Sequence, residues 1–139
     1  MKNVPTVLIL GGASGINYYN NIITTINKEF QIIACVGNNT KLFSQLKKKF
    51  PYVKVVAFTE NIDEIYRISD IAITKPGGLT SSELIAVGLP IIITNPLPGI
   101  EEKNSAYLIS KGIAFKSDNL EDFSILIKKL LNNKKDLHD

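Results

Sequence analysis

The chain has a single cysteine, a single histidine and a single methionine among its 139 residues. Cys35 lies inside an apolar run, so no disulfide framework braces the fold, and an odd buried thiol points to a reducing compartment. The one histidine, His138, stands next to the last residue, which takes the commonest general base away from any reaction site. No paired Asp-x-Asp and no His/Cys set occurs, so the sequence offers no tight metal site. No apolar run approaches the ~20 residues that a membrane span requires. The N-terminus lacks the apolar core of a secretory signal. A net charge of only +3 makes no case for a nucleic-acid partner. Cytoplasmic is the expected location.

What the chain does have is apolar residues, at 45% of the composition, with a mean hydropathy close to zero. That balance and length fit one domain, residues 1–139, with a genuine core. Short apolar runs alternate with helical patterns throughout. Strands are expected over 6–10, 31–36, 54–58, 71–74, 90–94 and 113–115. Helices are expected over 18–28, 40–50, 62–68, 101–110 and 120–131, with another opening at Thr80 and continuing through Leu84, Ile85 and Val87. Asp63 and Glu64 suit the first turn of their helix, and Lys111-Gly112 reads as a basic last turn with a glycine stop. Strands alternating with helices predict an α/β, Rossmann-like, doubly wound parallel sheet of about six strands, a single domain without repeat, linker or low-complexity segment.

The most informative stretch runs from Ile71 to Glu83. A buried strand ends at Lys75-Pro76, because proline has no N–H for a ladder. Gly77 and Gly78 permit a sharp turn that brings bare backbone close to whatever lies above the sheet. Thr80, Ser81 and Ser82 are good helix caps. Strand, glycine turn and helix start in that order leave unpaired N–H groups at the positive end of a helix dipole, a setting suited to phosphate. Thr80-x-x-Glu83 is also a capping box. A carboxylate one turn into the helix could instead accept hydrogen bonds from a vicinal diol such as that of ribose. Both roles for Glu83 stay open. In parallel sheets, ligands gather at the carboxyl ends of the strands, where the loops over 11–15, 37–39, 58–62, 75–80 and 95–101 are rich in glycine and small polar residues.

A dinucleotide dehydrogenase would account for Gly11–Asn17 and for Tyr107-x-x-x-Lys111, which look like the cofactor loop and catalytic pair of short-chain oxidoreductases. The fingerprint's last glycine is Asn17, however, and Gly37-Asn38-Asn39 replaces the acid expected at the end of strand two. The chain also ends soon after Lys111, and Tyr107 sits among Ala106, Leu108 and Ile109. This NAD-type reading is the weakest of the three kept.

Taken together, the loops carry a more specific signal. Lys75-Pro76-Gly77-Gly78-Leu79-Thr80-x-x-Glu83, Gly88-x-Pro90 and Pro96-x-Pro98-Gly99-x-Glu101-x-x-Asn104 follow in order, with Gly37-x-Asn39-Thr40 and Asn61-Ile62-Asp63-Glu64 before them. This pattern resembles the carboxy-terminal domain of lipid glycosyltransferases of the two-Rossmann-domain (GT-B) fold. The group includes the processive diacylglycerol glucosyltransferases and the monogalactosyldiacylglycerol synthases. A more distant relative is the N-acetylglucosaminyltransferase that makes lipid II. The resemblance runs from about residue 5 to the last helix, and the Lys-Pro-Gly-Gly form tilts it toward glycolipid synthesis.

The resemblance implies a UDP-sugar donor and no cofactor. It implies that Gly37 and Asn39 belong to the donor site and that backbone groups at Ile62 read the uracil edge. Glu83 then binds the ribose hydroxyls, and Gly77, Gly78, Leu79 and Thr80 hold the diphosphate. Gly12 and Ala13 face an interdomain cleft, and Glu101 contacts the donor sugar. The residue before Glu101, often Gln in relatives, is Ile100 here, which leaves the sugar unspecified.

Inverting transfer needs a base for the acceptor's proton, and the chain supplies no catalytic residue. Relatives carry that base and the lipid acceptor site on an amino-terminal domain absent here. The isolated chain is therefore expected to bind donor without turnover, as an excised domain or a separate subunit. Lys47-Lys48-Lys49 and Lys128-Lys129 with Lys134-Lys135 could touch an anionic membrane at its inner face. A solvated helix face is the simpler account of them. The alternative to the transferase is a non-catalytic nucleotide-binding module with the same loops.

Overall fold

A computed structural model describes residues 4–10, 15–26, 30–57, 61–74, 88–93, 114–116 and 127–128. Its strands are β1 (Thr6–Leu10), β2 (Gln31–Gly37), β3 (Lys54–Ala57), β4 (Ile71–Thr74), β5 (Ile91–Ile93) and β6 (Ala114–Lys116). Between the first four lie helices α1 (Ile16–Ile26), α2 (Thr40–Lys49) and α3 (Ile62–Ile68). Ile127 and Lys128 are also helical. The helices expected after Thr80 and over 101–110 lie outside the described residues.

Five all-parallel pairings build one sheet in the order β3-β2-β1-β4-β5-β6. Parallel sheets need cover on both faces, and the side chains divide accordingly with period two. Val7, Ile9, Ile32, Ala34, Val36, Ile71, Ile73 and Ile92 join one apolar cluster with α1 and α2, which also takes in Ile127. Leu8, Ile33, Cys35, Ala72 and Ile91 join the other, with Tyr66 of α3. In β1, in β2 beyond Gln31 and in β4 the residues on both faces are buried or nearly so, which is why those strands read as apolar runs.

Local chemistry sets the helix limits. In α1, Tyr18, Tyr19, Ile22, Ile23 and Ile26 form the buried stripe. Thr24 and Thr25 turn their hydroxyls back onto the carbonyls of Asn20 and Asn21, at 2.8 and 2.7 Å, the usual compensation for threonine in a helix. The helix opens at Ile16 rather than 18, because Ile16 packs against the core and extends the apolar face by half a turn. Asn39 caps α2, its Oδ1 accepting from the Leu42 N–H at 3.0 Å. Phe50 ends that helix as its C-cap instead of continuing it.

Three strand limits also depart from expectation. β2 runs on to Gly37, which pairs with Ala57 across a register shift. Pro90 stays out of β5 because it has no N–H, although its carbonyl accepts from the Ala72 N–H at 3.0 Å. β6 is displaced by one residue and includes Lys116, since backbone pairing with Ile91–Ile93 defines its limits rather than the apolar run.

At the N-terminal edge, side chains fix the three central strands. Asp70 accepts from the Thr6 N–H at 2.7 Å and returns its own N–H to the Thr6 carbonyl at 2.8 Å. The Gln31 N–H donates to the Pro5 carbonyl at 2.9 Å, and Thr6 Oγ1 donates to Gln31 Oε1 at 3.1 Å.

Candidate functional site

The strand order reverses between β1 and β4. The chain winds outward through β2 and β3, then returns to the other side of β1. Such a reversal separates the loops leaving two neighbouring strands and opens a crevice at their carboxyl ends. Leu10 and Thr74, the last residues of β1 and β4, stand side by side in register. The segment 11–14, with Gly12 and Ala13, follows the first, and the segment 75–83 follows the second. Gly12, Ala13, Gly77, Gly78, Leu79, Thr80, Glu83 and Glu101 lie outside the described residues. The strands that deliver the first seven of them end at this point.

Three expected site residues are described. Gly37 closes β2 with φ +62°, a left-handed conformation that a side chain would strain. A Cβ there would meet nothing within 4 Å, so its backbone is open to an incoming group. Asn39, two residues on, is exposed and uses its Oδ1 as the cap of α2. Ile62 opens α3 and packs half-buried against the second cluster. Its side chain is therefore structural, and only its backbone is available for recognition. Gly37 ends the strand beside β1 and Asn39 follows it, and with strands ~4.8 Å apart the ends of β2 and β4 bracket the β1 loop within roughly 10 Å.

Two residues that support this edge were not singled out from the sequence. The Tyr18 hydroxyl donates to the Leu10 carbonyl at 2.9 Å, and the Tyr19 hydroxyl to the Cys35 carbonyl at 2.6 Å. Their rings meet edge to face at 5.2 Å. A single turn of α1 thus holds the ends of β1 and β2, where the first two loops begin. The available signal was two tyrosines on an apolar helix face, since a buried tyrosine hydroxyl needs a partner.

Burial pushes the Cys35 thiol up to about 12, so it stays protonated and is a poor nucleophile. Among the described residues no group of three His, Cys, Asp or Glu side chains could hold a metal ion. None of the described helices is long and apolar enough to cross a membrane. A cavity of about 750 Å³ does exist, but it opens at the opposite edge, between Val4, Phe30, Tyr52, Lys54 and Ile68. The candidate ligand edge is the strand reversal rather than that cavity, because the glycine loops emerge at the reversal.

Comparison with known proteins identifies the family. The family model described as the glycosyltransferase family 28 C-terminal domain matches residues 6–138. The processive diacylglycerol beta-glucosyltransferase of Bacillus subtilis (strain 168) is 32% identical over 98% of this chain and 37% of its own length. The enzyme of the same name from Staphylococcus epidermidis (strain ATCC 12228 / FDA PCI 1200) is 34% identical over 96% of this chain and 36% of its own. The chain thus spans little more than a third of these relatives. Among solved structures, the spinosyn rhamnosyltransferase SpnG complexed with thymidine diphosphate superposes with a TM-score of 0.74 at 14% identity, over 94% of this chain and 38% of that one. That likeness shows a shared fold. With all but the first five residues and the last one inside the family match, the protein belongs to the glycosyltransferase family 28 C-terminal domain family.

Proposed function

We propose that this chain is the donor-binding half of an inverting glycosyltransferase that moves a hexose from a UDP-sugar to a diacylglycerol-type lipid. The observation that carries the reading is the strand reversal, which sets the Gly-Gly-Ala-Ser-Gly loop and the Lys-Pro-Gly-Gly-Leu-Thr loop on adjacent strand ends. Breaking a sugar–diphosphate bond leaves negative charge growing on the nucleotide. Preorganised N–H donors at a helix start stabilise that charge as the bond lengthens. On this reading Gly77, Gly78, Leu79 and Thr80 face the diphosphate, Glu83 the ribose and Glu101 the sugar, with Gly12 and Ala13 opposite them. Gly37, Asn39 and the Ile62 backbone line the remaining side. Support comes from relatives named for glucosyl transfer to diacylglycerol and from a fold neighbour solved with a nucleoside diphosphate.

The acceptor and its base would belong to the other part of a two-domain enzyme, acting at the inner membrane face. The 139 residues then bind donor and do not turn over. Calorimetric titration with UDP, UDP-glucose, UDP-galactose and NAD tests the reading. UDP should bind, and Glu83→Ala should weaken it ten- to a hundredfold, as loss of a charged hydrogen-bonding partner costs about 1.5–3 kcal/mol. An unchanged affinity would make Glu83 a helix cap only, and binding of NAD alone would reject the transferase. Glycosyl transfer by the purified chain without a partner would contradict the division of labour.

A further inference from the structure

The five buried residues on the inner stripe of α1 are not alike. Ile22, Ile23 and Ile26 offer hydrocarbon alone, whereas the first turn presents Tyr18 and Tyr19. Phenylalanine would fill the same space with no hydroxyl to satisfy. A buried tyrosine hydroxyl takes a partner, which accounts for the two bonds but not for their addresses. Both acceptors are carbonyls at the carboxyl ends of strands, Leu10 of β1 and Cys35 of β2. These two residues are also partners of each other, in the last rung of the β1–β2 pairing.

Each address bears on one donor loop. The bond from Tyr18 to Leu10 spans eight residues, so the segment 11–14 leaves β1 and returns to α1 on one fixed base. The Cys35 carbonyl stands beside an irregularity, because the β2–β3 register skips Val36 and resumes at Gly37. An extra residue in a strand re-aims whatever follows it. Here Gly37 follows with φ +62°, the Val36 carbonyl accepts from the Asn39 N–H at 3.3 Å, and Asn39 caps α2. Tyr19 holds the residue on which that change of direction begins. The edge-to-face contact of the rings at 5.2 Å makes the two tyrosines one clamp across the rung.

We infer that Tyr18 and Tyr19 are positioning residues of the donor site, acting on a nucleoside diphosphate through the loop over 11–14 and the turn over 37–39. The inference rests on the UDP-binding reading. Without its hydroxyl, each loop leaves the sheet from a looser base. The fraction of chains with both loops in place falls, and the apparent affinity falls with that fraction. One ordinary hydrogen bond bounds the loss, at about two- to tenfold per hydroxyl.

Calorimetric titration of UDP into the parent, Tyr18→Phe, Tyr19→Phe and Ile26→Val chains tests it, at a temperature where circular dichroism shows all of them folded. Ile26→Val is the control. It removes one methyl from a fully buried side chain of the same helix, about 10 Å along the axis from Tyr19, and so lowers the melting temperature away from the rung. Each tyrosine variant should bind UDP about two- to tenfold more weakly, and Ile26→Val should bind as the parent does. A role in stability alone would move the melting temperature and not the affinity. Tyrosine variants that melt early yet bind as tightly as the parent therefore overturn the inference, as does an equal loss of affinity in Ile26→Val. A parent chain that takes up no UDP rejects the donor reading and this inference with it, whereas a parent that binds beside unaffected variants rejects the inference alone.

Discussion

Replacing Tyr19 by phenylalanine removes one oxygen and leaves the packing volume almost unchanged. That oxygen donates to the Cys35 carbonyl at 2.6 Å from a side chain with no solvent exposure. The carbonyl stands where the β2–β3 register shifts, and the variant leaves it in the interior without this donor. An unsatisfied buried acceptor costs about 1–3 kcal/mol. Unfolding entropy of roughly 2.1 cal/mol/K per residue over 139 residues comes to about 0.3 kcal/mol/K. The melting temperature should therefore fall by about 3–10 °C. Tyr18→Phe supplies the internal comparison: its bond to the Leu10 carbonyl is longer, at 2.9 Å, and only partly buried. It should cost nearer 0.5–1.5 kcal/mol, the ordinary net value of a hydrogen bond (~1 kcal/mol). Thermal unfolding followed by circular dichroism ranks the two. A Tyr19→Phe chain melting within about 1 °C of the parent, or a larger loss in Tyr18→Phe, would refute the view that these hydroxyls fasten the loop-bearing edge.

Other expectations follow from the same geometry. Gly37→Ala should destabilise by about 1–2 kcal/mol from its positive φ alone, because the new methyl meets nothing; denaturant titration reads the loss, and Gly37→Asn should recover part of it, since asparagine tolerates that region. The buried Cys35 thiol holds its proton up to about 12 in the folded chain against 9.0 for an ordinary thiol. The unfolded chain therefore releases that proton first, so this contribution is fully present below pH 9.0 and is lost as pH rises from there towards about 12. Urea midpoints for the parent and Cys35→Ala chains, compared above and below pH 9.0, isolate it. A steeper alkaline loss in Cys35→Ala than in the parent would contradict it.

The parallel sheet was legible because its strands are buried on both faces. Thr6–Leu10 and Ile71–Thr74 coincide with their apolar runs to the residue, since no wet face dilutes the pattern. Gly37 was expected in the loop after β2; it is instead the last residue of that strand, and its φ of +62° marks where the chain leaves the ladder. Limits that depend on a partner were harder to read: Lys116 enters β6 because Ile93 pairs with it, and no property of lysine announces that. The hydroxyl bonds of Tyr18 and Tyr19 depend on where α1 crosses the strand ends, a tertiary fact. Val4, Tyr52 and Ile68 pass by type for core residues, and only the folded chain shows them on the surface. The choice between capping and ribose binding at Glu83 turns on side-chain geometry outside the described residues, so spacing alone leaves it open.

The central claim is that a uridine nucleotide lodges at the reversal between β1 and β4. Nuclear magnetic resonance of the isotope-labelled chain titrated with UDP tests it most directly, because the two edges of the sheet carry separate reporters. The account predicts amide shifts at Leu10, Gly37 and Thr74 and through residues 11–15 and 75–83, with Thr6, Gln31 and Tyr52 unmoved. Shifts confined to Val4, Phe30, Tyr52 and Ile68, around the opposite cavity, would contradict it.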